Sequence, residues 1–301
     1  MNDKVKECRS EITERMIQAM KEGTAPWQRP WNDAYAPQNA ISRRRYSGVN
    51  ALYLGLLGLV FFKSEDPRWL TFQQAKKQGW NVKKNEKGTR VIFWEYLKKP
   101  ILDDGGDPVL DDDGNEKMKS IPFGKIYVVF HASQVAGIPP YTPVVHDFDP
   151  IEKAEQIIQD SGAVIRHGGT RAFYSVSSDI ITVPPKGTFD STYDYYATTL
   201  HELGHWTGHP SRLAREFGSK RSATYAREEL VAEMASVFIS AETAIPQTPA
   251  HFANHAAYVA HWINLLKSDG DALFRAARDA SKAADYILRK ENTSDADKDV
   301  A

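Results

Sequence analysis

A single cysteine, Cys8, is all the thiol chemistry that the 301 residues offer. That excludes an internal disulfide, a Cys-based zinc site and a CxxC redox pair. It fits a reducing compartment. No long apolar run exists either. The most hydrophobic stretch, 49–62, is too short to span a bilayer and is broken by Asn50, Gly55 and Gly58, so it reads as buried core. The opening Met-Asn-Asp-Lys-Val-Lys-Glu has no apolar signal-type segment. The expectation is therefore a cytoplasmic protein with no membrane partner. Helix-turn-helix, zinc-finger and RNP1 patterns are missing, which removes support for base-specific groove reading. The Asp- and Gly-rich stretch 103–115 lacks an EF-hand register, because Glu116 stands where the loop glycine belongs. It reads as a solvated hairpin tip. No internal repeat is present.

What is present is unevenly distributed. The net charge is −1, yet residues 1–101 hold 19 Lys and Arg against 10 Asp and Glu, a net of +9. The remaining residues carry a net of −10. A basic half rich in aromatics is the footprint of a nucleic-acid binder. Holding single strands needs exposed rings beside basic side chains. The basic half interleaves the two: Trp27, Arg29 and Trp31; Arg43, Arg44, Arg45 and Tyr46; Lys76 and Lys77; Lys83 and Lys84; and Arg90. For 27–31 and 43–46, polar neighbours and Pro or Gly punctuation point to exposed loops. Trp69, Trp80 and Trp94 read as core.

The acidic half contains Leu200-His201-Glu202-Leu203-Gly204-His205. On a helix, His201 and His205 share one face and can reach one ion together. Glu202 sits where it can take a proton from water at that ion, the H-E-x-x-H arrangement of metal-dependent hydrolases. Asp190, Ser191 and Thr192 offer cap oxygens, and Gly208 with Pro210 ends the helix. A catalytic zinc takes three protein ligands. His209 leaves too little chain to turn back. The segment Tyr225-Ala226-Arg227-Glu228-Glu229-Leu230-Val231-Ala232-Glu233 supplies a better candidate. Glu229 is assigned as third ligand. Glu233, deep in an apolar helix, is assigned as acceptor for a ligand histidine's second N–H. Glu228 reads as a first-turn acid serving the helix dipole. The ion is divalent, zinc by default for His/His/Glu, with manganese as the alternative. Tyr193, Tyr195, Tyr225, Tyr258 and His255 all stay open as oxyanion donors.

Hydrophobic periodicity predicts helices over 3–22, 50–62, 71–78, 151–160, 193–206, 225–244, 249–268 and 271–290. It predicts strands over 80–84, 89–94, 126–130, 164–166, 172–174 and 180–183. A Pro-rich crossing, 137–150, divides the chain into 1–136 and 151–301.

The segments ERMIQAMKEGTAPWQRPW, RRYSGVNALYL, WLTFQQAKKQGW and KGTRVIFW resemble, in order and spacing, the N-terminal domain of the ArdC antirestriction proteins. IITVPPKGTFDSTYDYYATTLHELGHWTGHPSRL and YAREELVAEMAS resemble their zincin-like metallopeptidase domain. The resemblance implies an α+β chain. An α+β domain binding single-stranded DNA without sequence preference precedes a mostly helical, gluzincin-type domain with a small sheet. It implies protection of incoming plasmid DNA from host restriction during conjugation, with a protein substrate for the peptidase. It maps His201 and His205 onto the metal histidines and Glu202 onto the catalytic acid. The EELVAE segment also resembles the metal-ligand helix of IrrE-like and thermolysin-like zincins, which maps Glu229 onto the ligand. It departs at Glu233, where IrrE-like proteins carry Asn. Protection by acidic DNA mimicry is disfavoured by the basic half. The alternative is a non-enzymatic single-strand binder with a structural or vestigial metal.

Overall fold

The computed structural model describes residues 3–22, 36–142, 150–219, 222–245 and 256–289. The first helix, α1 (Asp3–Lys21), buries Val5, Cys8, Ile12, Met16 and Met20 on one stripe. Its expected stop, Gly23, lies outside the described residues. A two-residue strand β1 (Gln38–Asn39) precedes α2 (Gly48–Leu56), which widens into a π turn over Leu57–Phe61. The expected single helix to Phe62 is thus two geometries, and Phe62 stacks on the His131 ring at 4.8 Å. Strand β2 (Arg68–Thr71) leads into α3 (Phe72–Lys77). Thr71 caps α3 reciprocally with Gln74, so two backbone N–H groups find partners at once.

After β3 (Asn81–Val82), β4 (Thr89–Pro100) and β5 (Met118–His131) form a hairpin far longer than the apolar patterns at 89–94 and 126–130 predicted. The hairpin is held by twelve paired positions of backbone, six of them in its outer part, where lysines interrupt the apolar positions and leave little periodicity to read. The sheet order is β1-β2-β5-β4, with β1 and β2 parallel and the rest antiparallel. Strand β6 (Val135–Ala136) pairs with β3. Asn50 ties α2 to this sheet. Its amide donates to the Ile92 carbonyl at 2.7 Å and accepts from the Ile92 N–H at 3.2 Å.

The second half opens with α4 (Pro150–Ser161) and a three-stranded sheet, β7 (Val164–His167), β8 (Phe173–Ser175) and β9 (Ile180–Val183), ordered β7-β9-β8. Helices α5 (Thr192–Trp206), α6 (Ala223–Thr243), α7 (Ala256–Ser268) and α8 (Ala272–Ile287) follow. Helix α6 is buried along most of its length, as a helix packed on several sides must be. One core cluster joins Val5, Ile12, Leu52, Trp69 and Val91 of the basic half to Leu230, Met234, Trp262 and Leu273 of the acidic half. The halves therefore share a core. Residues 143–149 of the expected linker lie outside the described residues. The fold is α+β.

Candidate metal centre

Ser191 starts α5 by accepting from the Asp194 N–H at 3.1 Å, and Ser222 starts α6 by accepting from the Tyr225 N–H at 3.0 Å. Both caps satisfy donors that a helix start leaves open. They fix where each helix begins, and hence which face each residue occupies. The helices meet where α5 has no side chain. A Cβ on Gly204 would sit 3.2 Å from Ala232 Cα and 3.3 Å from the Ala232 carbonyl. This close approach brings α6 within reach of the two α5 imidazoles.

His201 and His205 stand with ring centroids 4.9 Å apart and planes at 83°. Glu229 straddles them. Its Oε2 lies 3.8 Å from His201 Nε2, and its Oε1 lies 3.8 Å from His205 Nε2. One ligand atom from each of the three falls within 4.8 Å of the others. Bonds of about 2.0–2.2 Å to a tetrahedral ion would place such atoms about 3.3–3.6 Å apart. Each Glu229 oxygen is within a few tenths of an ångström of that spacing from its histidine nitrogen, and the donor set of two imidazoles and a carboxylate fits a divalent cation.

The electrostatics favour a positive charge here. Burial pushes Glu229 up, but hydrogen bonding to His205, the charges of both histidines and the Tyr225 phenol together hold it down at about 2. Burial pushes His205 down, but Glu228 and Glu229 outweigh it and raise it well above the ordinary value. Burial likewise pushes Glu228 up, and Arg215 and His205 bring it below the usual range. Two buried carboxylates thus stay ionised around the imidazoles, as a cation site requires.

The acceptor for His205 Nδ1 is Glu228, at 3.2 Å, a role that sequence reasoning does not give it; that reasoning sets Glu233 against a ligand histidine without choosing between the two. Glu233 lies a turn further along α6 and is fully buried. The α5–α6 crossing turns position 228 toward His205. Glu228 is held in turn by Arg215, whose guanidinium donates to both carboxylate oxygens at 2.7 and 2.9 Å. Arg215 also reaches Thr207 Oγ1 at 2.8 Å and the Gly204 carbonyl at 2.7 Å. In the sequence Arg215 was only one basic residue of a connecting stretch. Its one signal was proximity to the motif. His209 turns to Ser211 at 2.7 Å and stays out of the cluster.

Glu202 lines a cleft of about 940 Å³ together with the three ligand candidates, Tyr225 and Tyr258. The lining also includes residues 169–174, reaching into β8, and Phe217. Among the five open oxyanion donors, Tyr225 and Tyr258 are the ones in this lining. Their hydroxyls are 3.4 Å apart. Tyr195 is buried and bonds to His167 at 2.9 Å, Tyr193 faces outward, and His255 lies outside the described residues.

The basic residues fare differently. Trp27, Arg29 and Trp31 lie outside the described residues. Arg43 and Arg44 are exposed on the turn before α2. Arg45 instead points into the other half, to the Ala241 carbonyl at 3.0 Å and Glu242 at 2.8 Å. Tyr46 is 5 % exposed and packs on Phe93, so its ring is core rather than a stacking surface. Arg90 is paired with Glu11 and Glu7 of α1, which neutralises its charge. Lys76 and Lys77 on α3, and Lys83 and Lys84 beside β3, are exposed. Lys83 also donates to the Ser133 carbonyl at 2.7 Å.

Comparison with known proteins agrees with both halves. Residues 6–130 match the family described as the N-terminal domain of anti-restriction factor ArdC. Residues 152–279 match a zincin-like metallopeptidase family. The DNA primase TraC of Escherichia coli is 44% identical over 292 residues, which is 92% of this chain and 19% of the primase. The chain thus spans about a fifth of that relative. The uncharacterized protein y4eC of Sinorhizobium fredii is 34% identical over 284 residues, covering 92% of this chain and 90% of that one. The crystal structure of the antirestriction protein ArdC from plasmid R388, metal-free, superposes with a TM-score of 0.74 at 34% identity, over 93% of this chain and 96% of that one. Its Mn(II)-bound form gives 0.74 at 32% identity, over 93% and 97%. Two family matches in the same order, and a solved relative alike from end to end, carry one conclusion: this chain belongs to the ArdC family of antirestriction proteins.

Proposed function

We propose that this chain is an antirestriction factor of the cytoplasm that holds single-stranded DNA through its basic half and hydrolyses a protein through its zincin-like half. One observation carries the hydrolytic part: the Glu229 carboxylate spans the two H-E-x-x-H imidazoles at 3.8 Å on each side. His201, His205 and Glu229 would hold the divalent ion, zinc or the manganese that the R388 relative binds. When bound, it supplies Lewis-acid polarisation of a carbonyl and a lowered pKa for water.

The chain's own groups do the rest. Glu202, facing the same cleft, takes a proton from the attacking water and delivers it to the leaving amine. Glu228, anchored by Arg215, fixes the orientation of the His205 ring. Tyr225 and Tyr258, their hydroxyls 3.4 Å apart, place phenol donors in the cleft wall where an oxyanion would develop. β8 is an edge of its sheet, so an extended peptide could pair along it. Occupancy of the DNA by the basic half would keep the hydrolase beside incoming strands during conjugation, which is where protection from restriction is needed.

The test is a pair of variants assayed with casein as an unstructured substrate. Glu202→Gln should keep its metal by elemental analysis and lose cleavage. His205→Ala should lose both. Wild-type cleavage by Glu202→Gln would remove that residue as the base, and full metal content in His205→Ala would remove the histidine as a ligand.

A further inference from the structure

The outer part of the β4–β5 hairpin stands beyond the rest of its sheet. Strand β2 pairs with β5 only at residues 129–131, so among the described residues both edges of the ribbon from residue 95 outward are free of other strands. Side chains alternate between its faces. One face carries Leu97, Lys99, Lys119, Ile121, Phe123 and Lys125. Glu95 shares it and lies 3.6 Å from Lys125. Leu97 and Phe123 are each 44% exposed, and on the other face Tyr96 is 64% exposed. Lys99 and Lys119 are directly opposite each other in the register. Like charges so placed repel, and among the described residues neither has a carboxylate partner. The stem, 95–100 and 117–125, holds five lysines against Glu95 alone, and the tip, 101–116, holds seven acids and no basic residue.

Lysines on a hairpin edge often serve only to block pairing with another sheet. That purpose needs no exposed phenylalanine or leucine between them. Phe123 faces Glu95 in the register, and Lys99 and Lys119 follow on the same face beyond the Leu97–Ile121 pair. A ring and apolar midsection leading to uncompensated lysines is the chemistry of single-strand capture, with bases on the apolar midsection and phosphates on the ammonium groups. We propose that this face of the ribbon stem is the single-stranded DNA track, a refinement that rests on the DNA-binding reading above. Phe123 stacks a base, and Lys99 and Lys119 hold phosphates to one side of it. The acidic tip repels phosphate and ends the track.

Binding of fluorescein-labelled oligo(dT) by the full holo protein, followed by anisotropy across a salt series, tests this. Lys99→Ala/Lys119→Ala should lower the slope of log K against log salt by about 1.4, about 0.7 for each phosphate no longer held. Its thermal midpoint should be unchanged or higher. Phe123→Ala should weaken binding at least about fivefold with little change in slope. Lys76→Ala/Lys77→Ala should lower the slope by less than the ribbon double variant does. A wild-type slope in the ribbon double variant, or a drop only in the α3 variant, would move the track off the ribbon while leaving DNA binding intact. A wild-type protein that does not bind oligo(dT) would overturn the DNA-binding reading itself. Loss of self-association in the double variant with DNA binding unchanged would assign the face to a second copy and overturn the proposal.

Discussion

Replacing Gly204 with alanine should damage the metal centre more than the fold. The new Cβ would lie 3.2 Å from Ala232 Cα and 3.3 Å from the Ala232 carbonyl, both backbone atoms of α6, and 3.5 Å from Ala232 Cβ. Ordinary contact would need α5 and α6 to separate by about 0.2–0.6 Å. α6 has little room to recoil, since Leu230, Val231, Ala232 and Ala235 are all at most 1% exposed. Overpacking of this kind costs about 1–3 kcal/mol. Alanine in a helix regains about 1 kcal/mol over glycine. The net expected for the metal-free protein is a loss of about 0–2 kcal/mol.

The site is less forgiving. Glu229 is already 3.8 Å from each histidine nitrogen, and metal sites tolerate departures of only about 0.2 Å in bond length. Metal affinity should fall about tenfold or more, read by competition with a chromophoric chelator. Each tenfold removes about 1.4 kcal/mol of metal-induced stabilisation, so the gap between holo and apo unfolding free energies should shrink with it. A variant with wild-type affinity and a raised apo midpoint would show only the helix-propensity gain. It would refute the idea that this close approach sets the site.

Glu228→Gln should lower metal affinity about 10–100-fold and destabilise the fold by about 3–5 kcal/mol, because it strips a buried anion from Arg215; chelator competition and urea unfolding check the two effects. Asn50→Ala should cost about 2–5 kcal/mol by urea denaturation, since it orphans the buried N–H and carbonyl of Ile92; a loss under about 1 kcal/mol would mean the strand re-pairs elsewhere. Burial holds His131 below its ordinary value, so the folded state binds fewer protons there than the unfolded chain. Stability from this group is complete above about pH 6.5 and is lost as the pH falls below it. In metal-loaded protein, His131→Gln should flatten the decline in urea midpoint between about pH 6.5 and 5, whereas parallel declines would exclude His131 as its source.

The parts of this molecule legible in the sequence are those whose chemistry is local. His201, Glu202 and His205 share one helix turn, and a helix fixes their common face whatever surrounds it. That Glu229 stands with the two histidines was legible from the run of acids at 228, 229 and 233 in an otherwise apolar helix, where a buried carboxylate needs a partner. Which neighbouring acid serves His205 was not legible. Glu228 and Glu233 flank Glu229 on the same helix, and the choice depends on how α5 crosses α6 at Gly204 and Ala232. That is a tertiary fact with no trace in spacing. The basic residues show the same divide. Arg45, Tyr46 and Arg90 look in sequence like their exposed neighbours Arg43 and Lys84. Yet Arg45 reaches Glu242, Tyr46 packs on Phe93 and Arg90 reaches Glu11. Two of these pairings join distant segments of one half, and one joins the two halves. Composition counts charges without saying which are already neutralised. A charge excess of +9 in residues 1–101 therefore overstates the field at Arg45 and Arg90 and leaves it undiminished at Lys99. For that reason the track proposed for DNA is not the most arginine-rich stretch of the sequence but a hairpin whose Lys99 and Lys119 have no acid partner among the described residues.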